Sequence, residues 1–137
     1  MSASEAKTAI APAQIAIAKR LAKQVLDSDT AVHSLMVLDR TGQVLAVERS
    51  SRLPEGEYID DDVLPKLAVV GKLIIGAAVN AAEFMGRLQF IVGSFKNQKV
   101  LLMDLQEYSM VLAMRLARSS NAEYVCNKIG ETLGTSD

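Results

Sequence analysis

The residues most suggestive of chemistry are a Gly-Lys pair and a run of three aspartates. Gly71-Lys72 could end a phosphate-binding loop, in which backbone amides and a lysine hold nucleotide phosphates. That motif also needs a glycine five residues before Gly71 and a hydroxyl residue after the lysine. Lys66 and Leu73 occupy those positions. The sequence therefore predicts that the chain does not bind nucleotide through such a loop.

The acidic run Asp60 to Asp62 has the ligand type that hard metal cations prefer. The same run also precedes a predicted helix with Pro65 in its first turn, where negative charge interacts favourably with the helix dipole. We expect this second role and no metal site.

His33 and Cys126 are the only histidine and the only cysteine, so an internal disulfide and a Cys/His metal cage are excluded. Strand alternation places His33 on the face of its strand that carries Leu35 and Val37. Cys126 lies in an apolar helical pattern, where a buried thiol is inert. No nucleophile–base pair is visible. We therefore expect no catalytic residue, no cofactor and no metal.

Arg49 and Arg52 lie in a predicted surface loop, RSSRLPEGEYIDDD. An arginine in such a loop could reach the phosphates of a partner. The simpler interpretation is a solvated charge in a solvated loop.

Composition indicates one well-packed soluble domain. The chain has 137 residues, half of them hydrophobic, and 15 basic against 16 acidic side chains give a net charge of −1. A chain without an overall basic field is not expected to bind nucleic acid. The N-terminus lacks a signal-peptide pattern, so we expect a cytoplasmic protein. We predict a flexible arm over residues 1–11, one domain over 12–134 and a tail over 135–137.

The hydrophobic periodicity predicts the element order α-β-β-α-β-β-β-α. A helix is predicted from Pro12 to about Asp27, then a hairpin turning at Asp39 to Gly42, a long helix over residues 62–86, three strands at short spacing and a last helix with a Ser120/Glu123 capping box. Short connections favour one five-stranded, mostly antiparallel sheet. Because its strands are apolar on both faces, helices must cover both sides, which makes an α/β/α sandwich.

The long helix is apolar around most of its circumference. Its polar side chains after the first turn are Lys66, Lys72, Asn80 and Glu83. Charges so far inside the segment are costly in a bilayer, which argues against membrane insertion. The apolar stripe is wider than one buried face, so two surfaces are needed to cover it. We expect these to be the chain's own sheet and a second protein molecule.

Three stretches carry a resemblance to a known family: SLMVLDRTGQVLAVE, the glycine- and alanine-containing long helix, and MVLAMRLARSSNAEYVCNKIGETL. Together with the order of elements, they make residues 12–133 resemble the roadblock family, in its prokaryotic-style single-domain form. The resemblance implies a roadblock/longin-like fold and a non-catalytic homodimeric scaffold. It also implies dimerisation through the middle helices and third strands, and binding of a small Ras-like GTPase that the dimer regulates or positions.

These expectations assign residues to two contacts. The predicted dimer interface contains Val70, Leu73, Ala77, Phe84, Leu88, Phe90 and Val92. The candidates for partner binding are Lys66, Lys72, Asn80, Glu83, Arg49 and Arg52. Two other functions stay open: a structural subunit of a cytoskeletal or transport assembly, and a small ligand-binding or enzymatic domain of similar fold.

Overall fold

A computed structural model describes residues 12–51, 63–86, 88–96 and 99–134. The elements in chain order are α1 (Pro12–Ser28), β1 (Val32–Asp39), β2 (Val44–Arg49), α2 (Val63–Met85), β3 (Phe90–Ser94), β4 (Lys99–Leu105), a 3-10 turn (Gln106–Tyr108), β5 (Met110–Leu116) and α3 (Ala122–Leu133). This is the predicted element order. The predicted arm, the predicted tail, Arg52 and Asp60 to Asp62 lie outside the described residues, as do the side chains of Val70 and Lys72.

The five strands form one sheet in the order β2-β1-β5-β4-β3. All four neighbouring pairs are antiparallel. The first and last strands of the chain, β1 and β5, therefore pair at the centre, while β2 and β3 form the two edges. The expectation of a five-stranded, mostly antiparallel sheet is confirmed, and the third strand is an edge strand.

One face of the sheet is covered by α1 and α3. Leu21 and Val25 of α1 and Ile129 of α3 are fully buried in a cluster with Leu35 and Leu112 of the central strands. The apolar positions of both helices recur three and four residues apart, so each helix buries a single stripe. This face contains the larger of the two cores.

The opposite face is covered by α2. Its core is smaller and consists of Met36, Leu38, Leu102, Val111 and Ala113. The helix comes close to this core at the buried Gly71, where an added Cβ would lie 3.5 Å from Leu38 Cδ1 and 3.9 Å from Leu102 Cδ2. Helices on both faces confirm the predicted α/β/α sandwich.

The hairpin turn between β1 and β2 is organised by one carboxylate. Asp39 Oδ1 accepts hydrogen bonds from the backbone N–H groups of Thr41 and Gln43, both at 2.9 Å, and from Thr41 Oγ1 at 2.6 Å. Gly42 has φ of 94°, which favours glycine. The predicted turn at Asp39 to Gly42 is confirmed.

Three sequence-based boundaries were wrong. The N-cap of α3 is Asn121, whose side chain accepts from the Tyr124 N–H at 3.0 Å, whereas the Ser120 hydroxyl donates to the Ala117 carbonyl at 2.7 Å. Asparagine and serine are both good N-cap residues. Here the Ser120 side chain is turned towards the Ala117 carbonyl, so Asn121 is the N-cap. The third strand, which the sequence predicts over Leu88 to Phe95, spans only Phe90–Ser94, so Leu88 precedes it.

The third error concerns Arg49, which is the last residue of β2 rather than a loop residue. It pairs with Ser34 in the β1–β2 ladder. The ladder extends as far as Arg49 because β1, its antiparallel partner, already begins at Val32. The Ser50 N–H also donates a hydrogen bond to the His33 carbonyl at 2.8 Å.

Candidate partner-binding surface

The most exposed apolar side chains lie on α2 and around β3. Leu73 is 70% exposed and Phe84 is 84% exposed, although both belong to an apolar helix packed on a sheet. The other members of this group are Val69, Met85, Val92 and Phe95. Single exposed apolar residues are ordinary, but a group this large on one region is typical of an interaction surface.

Helical geometry divides the exposed residues of α2 into two flanks. Gly71 marks the direction of the sheet, and Asn80, nine residues later, points directly away from it at about 100° per residue. One side, here called the Leu73 flank, contains Lys66, Leu73, Ala77 and Phe84, all exposed. Glu83 lies on the opposite flank, about 120° from Gly71. Val69 is also exposed but lies on the side of Glu83, so the Leu73 flank carries more of the exposed apolar side chains than the opposite flank, but not all of them.

Edge strand β3 has an open ladder on its outer side. It pairs with β4 from Phe90↔Met103 to Ser94↔Lys99 and has no further partner within the described chain. Its sequence FIVGS contains no proline and no charge, so the outer edge lacks the usual features that prevent pairing with another strand. Only residues 86–89 separate α2 from β3, which brings the C-terminal end of the helix near this edge.

The predicted dimer residues fall on this surface to different extents. Leu73, Ala77, Phe84 and Val92 are exposed, whereas Leu88 and Phe90 are half-buried. Phe90 packs against the core under α1 and α3. Phe90 and Val92, two residues apart on the same face of β3, are therefore both poorly placed for a contact with α2 of a second molecule.

The predicted partner-binding residues do not form one cluster. Asn80 and Glu83 are exposed and lie about one turn apart on α2, whereas the exposed Lys66 lies about four turns nearer the N-terminal end of the helix. Arg49 is half-buried at the end of β2, on the other edge of the sheet. The structure therefore separates Arg49 from the α2 residues.

A polar row on the α2 face of the sheet was missed by sequence reasoning. Ser34 pairs with Arg49 on one side and with Arg115 on the other, so the three side chains are cross-strand neighbours. They lie two residues along their strands from Met36, Val47 and Ala113, on the α2 face of the sheet. Ser34 is 1% exposed, and its hydroxyl has no hydrogen-bond partner among the described residues. The sequence did contain a signal for this row: in VHSLMV and LAMRL, strand alternation places Ser34 and Arg115 on the same face as Met36 and Ala113.

His33 and Cys126 show no arrangement for catalysis in the described ranges. The register of β1 shifts between Val32 and Ser34, so Val32, rather than His33, joins Leu35 and Val37 in the core. Burial raises the pKa of the Cys126 thiol, and the nearby negative charge of Glu123 raises it further. A thiol that stays protonated is a poor nucleophile.

Within the part of the chain that the structure describes, no group of three or more His, Cys, Asp or Glu side chains is arranged to hold a metal ion. A shallow apolar depression lies between α2 and β3, with Gly71, Leu88 and Ile91 among its lining residues. Within the same ranges, none of the helices combines the length and apolarity needed to cross a bilayer.

Solved structures with this arrangement of a central sheet between α1/α3 and α2 identify the fold. A Roadblock/LC7 domain from Streptomyces avermitilis has a TM-score of 0.64 at 13% identity, covering 85% of this chain and 92% of its own. The chain has the roadblock fold. MglB with a tetrameric arrangement has a TM-score of 0.66 at 18% identity, and the gliding protein MglB from Thermus thermophilus has 0.61 at 17%, each with 90% coverage of both chains.

The similarity to roadblock domains lies in structure rather than sequence. No protein-family model matches the chain, and no curated protein matches it. A roadblock fold at identities below one fifth means that the layout of helices and strands is preserved while most side chains differ. The fold predicted from the resemblance in sequence pattern is confirmed.

Proposed function

We propose that this chain is a non-catalytic roadblock scaffold that forms a homodimer and binds a small Ras-like GTPase, which it positions or regulates. The observation that carries the proposal is the exposed apolar Leu73 flank of α2 beside the open edge of β3. Neither feature serves the fold of a single copy. Both are satisfied at once if a second copy adds its own β3 and α2.

Physical chemistry supports a self-contact at this surface. Burying Leu73 and Phe84 would each contribute about 1.5–3 kcal/mol, relative to leaving them in water. Pairing of β3 with its copy would satisfy the outer N–H and C=O groups of the strand. The neighbours named MglB include one described with a tetrameric arrangement, which is consistent with assembly of copies of this fold.

The GTPase would bind the part of α2 that a second copy leaves open. Asn80 points away from the sheet and Glu83 lies on the flank opposite Leu73, so both stay accessible in such a dimer. Lys72, Arg49 and Arg52 are further candidates. Lys66 lies on the Leu73 flank and is a weaker candidate for this contact.

Light scattering and GTPase capture test the two halves of the proposal separately. The parent protein is expected to have the mass of a dimer at micromolar concentration, and Leu73→Asp is expected to lower that mass. Val47→Asp, at a 41% exposed position on the opposite edge, is the control. A monomeric parent would contradict the dimer.

For the partner, immobilised parent protein is incubated with native lysate containing GDP or a slowly hydrolysed GTP analogue. A nucleotide-dependent Ras-like GTPase supports the proposal, provided that Asn80→Ala with Glu83→Ala reduces its capture. Capture of cytoskeletal or transport subunits alone, unaffected by nucleotide, would favour the structural alternative. The isolated chain is expected to bind no GTP or ATP in calorimetric titration.

A further inference from the structure

The polar row of Ser34, Arg49 and Arg115 brings two positive charges to either side of one hydroxyl. Ser34 lies in the middle, on β1, and pairs with Arg49 of the edge strand β2 and with Arg115 of β5. Neighbouring strands are about 4.8 Å apart, so the Cα atoms of the two arginines are about 10 Å apart. Arginine side chains are long enough for both guanidinium groups to meet one small group in front of Ser34.

The row is buried, although its charges would favour water. Ser34 is 1% exposed, Arg115 is 6% exposed and Arg49 is half-buried. An arginine keeps its charge in a protein, so a buried guanidinium group needs negative charge beside it. Two positions along each of the three strands, the same face carries uncharged residues, which are Met36, Val47 and Ala113. These strand neighbours supply no negative charge to the row.

The Ser34 hydroxyl shows that the row is incomplete. It is buried and has no hydrogen-bond partner among the described residues. A buried hydroxyl without a partner is unfavourable, and folded proteins keep few of them. Arg49 and Arg115 each have an interaction partner, but a guanidinium group has several N–H donors and can contact more than one acceptor. A single group with two or more acceptor oxygens would therefore satisfy the hydroxyl and bridge the two cations.

We propose that Ser34, Arg49 and Arg115 form a buried binding site for one oxyanion, the shared chemistry of a carboxylate and an inorganic phosphate. Each guanidinium group donates hydrogen bonds to the oxygens of the anion, in the paired geometry that arginine forms with such groups. The Ser34 hydroxyl donates a further one. This inference rests on the sheet alone and is independent of the proposed dimer and of its GTPase.

The anion has two possible sources. Free phosphate can enter from the side of Arg49, which is half-buried on an edge strand. A carboxylate of the chain itself is the other source, because the sequence between β2 and α2 contains Glu55, Glu57 and Asp60 to Asp62, which lie outside the described residues. The three site residues bind the oxyanion in the same way in both cases, so the experiment must distinguish the sources.

Thermal melting in sodium phosphate and in sodium chloride of equal ionic strength tests binding of free anion. If the site takes phosphate from solution, the melting temperature of the parent rises with phosphate concentration. Arg115→Met and Arg49→Met are each expected to abolish this rise, and Arg49→Met supplies the test if the more deeply buried substitution prevents folding. Lys23→Met removes an exposed cation on α1, across the sheet, and should keep the full response.

Ser34→Ala tests the hydroxyl separately. Titration calorimetry with phosphate is expected to give a Kd about tenfold higher than that of the parent, because a hydrogen bond to a charged group is lost. An unchanged Kd in a parent that binds phosphate would contradict the part assigned to Ser34.

A carboxylate of the chain itself would instead make the parent insensitive to phosphate. A variant that combines Glu55→Gln, Glu57→Gln, Asp60→Asn, Asp61→Asn and Asp62→Asn is then expected to gain the phosphate response. Adding Arg49→Met to this variant should remove it. Either pattern supports the site and identifies the source of the anion. A phosphate response that survives both arginine substitutions, or one that is absent from the parent and from the acid-neutralised variant alike, would overturn the proposal.

Discussion

The guanidinium of Arg40 lies 2.7 Å from Asp104 Oδ1, and this ion pair spans β5 to join the β1–β2 turn to β4. The Asp104 side chain is 13% exposed and the Arg40 side chain 35%. The same oxygen makes no well-aligned hydrogen bond, so the contact is mainly ionic. It ties together strands that are not neighbours in the sheet.

Asp104→Asn is expected to reduce the free energy of unfolding by about 1 kcal/mol, because it removes the negative charge at a partly buried pair. Urea denaturation measures the change. Glu107→Gln, an exposed acid in the adjacent 3-10 turn, is the control and should leave the midpoint within error. An equal loss in both variants would mean that net charge, rather than the Arg40 pair, determines the effect.

The two edge strands allow a matched test of dimerisation. Val92 on β3 and Val47 on β2 are 40% and 41% exposed, and each lies on an outer strand. Val92→Asp is expected to reduce the mass measured by light scattering to that of a monomer, because a charge would enter a desolvated strand pair. Val47→Asp introduces the same charge at an equally exposed position on the other edge strand and should remain dimeric. If the two variants behave alike, β3 is not the pairing edge.

The two glycines within α2 are expected to respond oppositely to substitution. Gly71→Leu is expected to destabilise the protein by about 1–3 kcal/mol, because even a Cβ there already touches Leu38 and Leu102. Gly76 has no atom within 4 Å of an added Cβ, so Gly76→Ala is expected to stabilise the helix by about 0.5–1 kcal/mol. Thermal melting compares the two. Tolerance of Gly71→Leu would place α2 farther from the sheet than described.

Cys126 is expected to make stability fall at alkaline pH. Burial, and secondarily Glu123, raises the pKa of its thiol in the folded state. The folded state therefore holds this proton more tightly than the unfolded state, and the contribution to stability is complete below the unfolded pKa of about 8.5. It is lost as pH rises through the folded pKa. Unfolding measured between neutral and alkaline pH should have a steeper slope for the parent than for Cys126→Ala; identical slopes would contradict the prediction.

Sequence patterns predicted the fold more reliably than the surface. The periodicity of α1, the Asp39 to Gly42 turn and the apolar strands each determine a local structure, and together they permit few arrangements. The sequence pattern could not predict that Arg49 belongs to β2, because pairing with β1 extends this strand beyond its apolar residues. The position of Phe90 likewise depends on β4, whose register determines which side of the edge strand faces the larger core.

The partner-binding residues were the hardest to predict. Spacing in the sequence groups the polar residues on one side of a helix, but it does not show how that side is turned relative to the sheet. Lys66 and Glu83 belong to one polar sector in sequence, but the approach of α2 to the sheet at Gly71 shows that they lie on opposite flanks of the helix. The Ser34, Arg49 and Arg115 row depends on the pairing of three strands distant in sequence. Only the sheet order brings these residues together.

The central pairing of β1 with β5 also determines when the protein can finish folding during synthesis. The β1–β2 hairpin emerges early, but the strand that completes its other side, Met110–Leu116, comes after all the other strands in the sequence. Until the ribosome has released that strand, the β1–β2 and β3–β4 hairpins have no connection through the sheet. Such long-range closure slows folding. A nascent chain stopped after β4 would expose two incomplete sheets, because β5 is the strand that pairs with both β1 and β4.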